Sequence, residues 1–228
     1  MVSVELRRVR IGLNTIFYGA LVSFIAFVAS FLFAMLLGFG GATILLGSVL
    51  ILMTLGVLGG YFAIFIGQLY CCSAPVESNA RAAVRYSTSL HAAQFFLTVF
   101  GMIFPYESYL RFSFLEFALT HAPVLVAFLA AILFGVFLKR LNESRTQSSL
   151  ARSSKTVILF VSLLLGGYVL FVVGSFLTVS APISVSFAML GIPILVMFLL
   201  GLTTFAKYIN LVRLTALSIG REPILEQA

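Results

Sequence analysis

The chain has 228 residues, 61% of them hydrophobic and 9% charged, with a mean hydropathy of +1.16. A soluble domain carries about 25% charged residues, and fourteen basic plus seven acidic side chains cannot cover a globule of this length. Lipid must be the solvent for most of the surface. The length then accommodates a single membrane domain, 1–228, without a sizeable soluble one.

The net charge is +7. The basic residues sit at the ends of apolar runs rather than in a stripe, a pattern of membrane flanks that argues against nucleic acid as a partner. All seven acidic residues are Glu, and the 24 Phe are accompanied by no Trp, so an interfacial aromatic belt has to be built from Tyr. Cys71 and Cys72 are the only cysteines and are adjacent, which rules out a disulfide framework. They read as small apolar residues at a helix end, with acylation as the sharper alternative.

In chain order, the first apolar run (11–37) follows Arg7, Arg8 and Arg10. It lacks a small-residue cleavage site and exceeds the roughly 7–15 apolar residues of a signal peptide, so it reads as a retained span. A glycine-rich turn at Gly38 to Gly41 leads into the second span, 42–69. A polar stretch, 73–89, precedes a short third span at 89–105, which contains His91 and Gln94. The fourth span is 114–138, and the hydrophilic segment 139–155 must be aqueous. Spans at 156–177 and 185–206, joined near Pro182, complete the set. Each is close to the ~20 residues that cross the hydrocarbon.

The expected fold is therefore an all-α, polytopic membrane bundle of six transmembrane helices. With the N-terminus inside, thirteen of the fourteen basic residues are cytoplasmic and only Arg111 lies outside. An odd number of spans would move Lys207, Arg213 and Arg221 across and spoil that asymmetry, so both termini are expected in the cytoplasm. Tyr70, Tyr86 and Tyr208 fall at the inner boundary, and Tyr106 and Tyr109 at the outer one. The layout is three hairpins. Their entries (Arg10, Arg85, Lys155) and exits (Tyr70, Lys139, Lys207) recur about every 70 residues, a spacing that internal repetition or any six-span chain with short outer turns produces. A tail helix at 207–219 follows, with Lys207, Asn210 and Arg213 on one face and Ile209, Val212, Ala216 and Ile219 on another, stopped by Gly220 and Pro223. It reads as a helix leaving the membrane with snorkelling basic side chains, or more sharply as a partner-binding helix.

Ionisable residues inside a bilayer are functional suspects by default. Glu116 and His121 open the fourth span, and Glu107 and Arg111 stand four apart in the preceding outer segment, a spacing that suits a helical ion pair. Together they form a candidate polar patch for a ligand or ion, although an ideal helix separates Glu116 and His121 by about 140°. Pro123 and Pro193 are candidate kinks in the fourth and sixth spans. Gly56 and Gly60 give a Gly-x-x-x-Gly spacing in the second span, and Gly166, Gly167 and Gly174 lie in the fifth; small residues let helices approach closely. His91 and Gln94 read as interfacial polar residues.

Absences narrow the function further. A chain without Asp excludes aspartyl intramembrane proteolysis, Asp-rich metal–phosphate chemistry and Asp-based proton relays. His-Glu-x-x-His, the Walker lysine motif and Gly-x-Ser-x-Gly are missing too. Neither a metal, a cofactor nor a catalytic residue is expected. The favoured function is non-enzymatic association in the bilayer, as a scaffold or accessory subunit with other membrane subunits or itself as partner. Alternatives are a channel or transporter for a small or apolar solute using the fourth and sixth spans, or lipid chemistry with Glu116 and His121 as acid and base. A cytoplasmic (inner) cell membrane is favoured over an organelle membrane.

Overall fold

The computed structural model describes residues 4–37, 43–103, 114–178 and 183–220. Within them, the side chains of 30–31, 34–37, 43–50, 52–53, 77, 101–103, 114–119, 175–178 and 183–194 lie outside the description. Among the described residues the protein is all-helical and contains no strand. Its elements are α1 (Val4–Leu37), α2 (Thr43–Cys71), a 3-10 turn (Val76–Ser78), α3 (Arg81–Ile103), α4 (Phe114–Ser144), α5 (Ser148–Thr178) and α6 (Ile183–Gly220). Helix is the outcome lipid enforces on an open chain, because each backbone N–H and C=O must find its partner within the segment. Five of the helices, all but α3, hold stretches long and apolar enough to cross a bilayer. The protein is an integral, multi-pass helical membrane protein.

The helices outrun the membrane. α1 has 34 residues and α6 has 38. At 1.5 Å per residue these extend about 51 and 57 Å, against a hydrocarbon core of about 30 Å. The predicted tail at 207–219 is accordingly no separate element but the unbroken end of α6. The hydrophilic segment 139–155 is likewise helical except for a turn at 145–147.

Two compact units make up the chain: Met1–Pro75 with Val212–Ala228, and Val76–Leu211. In the first, α1 and α2 pack antiparallel around Val9, Leu13 and Ile16, all at most 1% exposed. The last turns of α6 bury Val212, Thr215, Ala216 and Ile219 in this unit. Here Arg213 stands 5.9 Å from the Phe17 ring centroid, and the Arg10 guanidinium lies over Gly220, where an added Cβ would be 2.6 Å from Cζ. A cation at a helix C-terminus is electrostatically favoured. The start of α1 and the end of α6 therefore lie together in this unit. The apolar face that sequence marked for a possible partner is used inside the chain.

In the second unit, α3 and α5 each run antiparallel to α4. Ser87 Oγ donates to the Ala130 carbonyl across α3 and α4 at 2.8 Å. Ala130, Phe134, Phe137, Leu138 and Leu141 form the buried stripe of α4. Phe134 and Phe137 lie 5.2 Å apart by ring centroids, and Tyr208 of α6 stands 6.1 Å from Phe134.

Sequence reading places the third span at 89–105, but α3 already starts at Arg81. The reason is local. Ser78 Oγ accepts from the Ala80 N–H at 3.2 Å, Asn79 takes the left-handed φ of 50° that Asn tolerates, and alanine-rich residues 80–83 then favour helix. Only the front of the polar stretch 73–89 is therefore a connection. At the other turn, Thr146 has φ 57°, uncommon for a β-branched residue. Its N–H reaches the Glu143 carbonyl at 3.1 Å, and the Gln147 N–H reaches Asn142 at 2.9 Å. These bonds form a Schellman motif that ends α4 and satisfies its last carbonyls.

Candidate functional site

Two kinds of glycine surface organise the helices. The first faces inward, between α1 and α2. Gly12 meets Gly67 and Gly19 meets Gly60, so each helix offers a pair spaced by seven residues. An added Cβ on Gly67 would stand 2.6 Å from the Gly12 carbonyl oxygen, and one on Gly19 would stand 2.7 Å from the Gly60 oxygen. Even an attractive C···O contact needs about 3.3 Å. Any side chain here would force the backbones apart. Gly60 also abuts Ser23, whose Oγ donates to the Val57 carbonyl at 3.3 Å. Gly56 faces the same way, with Ala26 Cβ 3.0 Å from its missing Cβ. At the end of the ladder, buried Cys71 directs its Sγ at the Val9 carbonyl at 3.9 Å, and both cysteines are free thiols.

The second kind faces outward. Gly59 of α2 and Gly166 of α5 are exposed, and an added Cβ on either would meet nothing within 4 Å. Large exposed side chains flank both: Leu55 and Phe62 around Gly59, and Leu163 and Leu170 around Gly166. Gly167 instead packs on Met197, whose Cε would lie 3.1 Å from an added Cβ, and Gly174 has nothing within 4 Å of such an atom.

Of the polar patch Glu107, Arg111, Glu116 and His121, only His121 has a described side chain. Glu107 and Arg111 lie outside the described residues, and Glu116 is placed in the first turn of α4 with its side chain outside the description. His121 pairs across helices with Tyr168 of α5: Nδ1 and the phenolic oxygen share a hydrogen bond at 2.7 Å, with ring centroids 5.9 Å apart. The donor is set by the imidazole tautomer. Phe128 stands 6.0 Å from the same Tyr168 ring. Pro123 sits inside α4 without interrupting it and, lacking an N–H, leaves the Leu119 carbonyl without its helical partner. Pro193 lies within α6, with its side chain outside the description. His91 Nδ1 lies 3.2 Å from the Ser87 carbonyl of its own helix, and Gln94 Oε1 is buried with no hydrogen-bond partner among the described residues. No group of three His, Cys, Asp or Glu able to hold a metal occurs among the described residues.

Sequence reasoning missed Gly12, Gly19, Gly67 and Tyr168. The glycines had a readable signal, the matching seven-residue spacings in two helices joined by a short turn. Tyr168 had a weaker one, as the single tyrosine in an apolar run. No family model, curated protein or solved structure matches this chain.

Proposed function

We propose that this protein is a non-enzymatic membrane component that works by association, as a scaffold or accessory subunit of a membrane assembly. The observation that carries the reading is the pair of outward glycine notches, Gly59 and Gly166, framed by exposed large apolar side chains. Lipid tails pack on leucine as well as on anything smaller. Glycine inside a helix costs about 1 kcal/mol relative to alanine, so an outward notch is favoured when another helix backbone enters it. The spans are also thinly covered by their own chain: between 17% and 28% of each is buried. Much apolar surface is thus left for partner helices. The charge asymmetry supports cytoplasmic termini, and the compactness of the chain favours an inner cell membrane as the setting.

The test is gentle extraction from native membranes followed by native mass spectrometry. A defined homo-oligomer or co-purifying subunits are expected, and Gly59→Leu or Gly166→Leu should dissociate them while the chain stays helical. A partnerless monomer from native membranes would overturn the reading.

A further inference from the structure

Where α3 begins and α4 ends, a cavity of about 860 Å³ opens, lined by Arg81, Arg85 and Arg140 together with Ser78, Asn79 and Glu143. Arg81 and Arg85 are one turn apart on α3 and share its face. Arg140 arrives from α4, and its Nη1 donates to the Asn79 carbonyl at 2.8 Å. Asn79 is itself fixed: its φ is 50° and its N–H reaches the Val76 carbonyl at 3.1 Å. A structured turn therefore holds the third guanidinium in the lining that the other two share. Among the described residues of the lining, Glu143 is the one carboxylate, 3.8 Å from Lys139 Nζ on the turn before it, against three guanidiniums.

Guanidinium stays charged at every accessible pH and offers a planar fork matched to phosphate oxygens. At about 860 Å³ the cavity is larger than a bare phosphate fills. It lies at the end of the apolar run Thr120–Ser144, where a span meets headgroups. We propose that this cavity binds a phosphate ester, and specifically the phosphate of an anionic phospholipid headgroup. The inference stands apart from the association reading, since it needs only the two helix ends of one unit.

The test uses the full chain in nanodiscs of phosphatidylcholine doped with phosphatidic acid, with retained lipid read by native mass spectrometry and soluble glycerol phosphate as competitor. Phosphatidic acid should be retained selectively. Arg85→Gln and Arg140→Gln should each weaken that retention about tenfold, the size expected from losing one charge-assisted hydrogen bond. Arg152→Gln, an exposed α5 residue outside the lining, should leave it unchanged. Arg140 also braces the Asn79 turn, so Arg85→Gln, whose side chain is exposed, separates ligand loss from misfolding. Competition by glycerol phosphate would support the phosphate site and assign it to soluble esters as well. Equal retention of phosphatidylcholine, or the same loss in Arg152→Gln, would overturn the proposal.

Discussion

The α1–α2 pair and the α4–α5 pair are both antiparallel helices built from apolar residues, yet they are held in different ways. Between α1 and α2 the closest contacts are backbone on backbone, at Gly12, Gly19, Gly60 and Gly67, with the side chains of Ile16, Ser23 and Ala63 packed around them. Between α4 and α5 the seam carries bulk: Gly135 receives the side chain of Ile158, 2.7 Å from its missing Cβ, and His121 bonds to Tyr168. Phe134 and Phe137 fill the adjoining core of α4. In lipid, where burying apolar surface gives little driving force between helices, close approach and shaped bulk are alternative routes to the same dispersion energy.

That contrast sets the order of expected effects. Phe134→Ala, which empties a fully buried position, should destabilise the second unit most, by about 3–5 kcal/mol in a detergent unfolding titration. Gly60→Ala, which drives a methyl into the Gly19 backbone, should cost about 1–3 kcal/mol by the same titration. Gly174→Ala, whose added Cβ would meet nothing within 4 Å, is its control and should be neutral or stabilise by up to about 1 kcal/mol. Tyr168→Phe removes one cross-helix hydrogen bond and should cost only about 0.6 kcal/mol, the average for such bonds in a membrane protein. A Gly60→Ala as mild as Gly174→Ala would mean that the glycine ladder is not what holds α1 to α2.

Much of the fold is legible in the sequence because spanning a bilayer demands long apolar runs. The five apolar helices and the helical tail to Gly220 follow from hydropathy and the helix stop at its end, whereas the hydrophilic segment 139–155 gives no sign that only 145–147 leaves the helix. What the sequence hides is which face of each helix is buried. These helices are apolar on every side, so the 3.6-residue periodicity that marks a core face in water is erased. Gly166 and Gly167 are neighbours in sequence, yet one faces out and the other packs on Met197; no composition argument separates them. The start of α3 was obscured differently. Arg81 and Arg85 look like loop residues until the Ser78–Asn79 turn places them on a helix. For His121, proximity along the chain gives no hint of a partner on α5, the Tyr168 hydroxyl 47 residues away.

The most direct test of the central claim, association through outward glycine notches, is photocrosslinking in intact membranes from position 163, where exposed Leu163 stands one turn from Gly166. The account predicts a discrete protein adduct that disappears when Gly166→Leu fills the notch. Adducts to lipid alone, unchanged by Gly166→Leu, would contradict it.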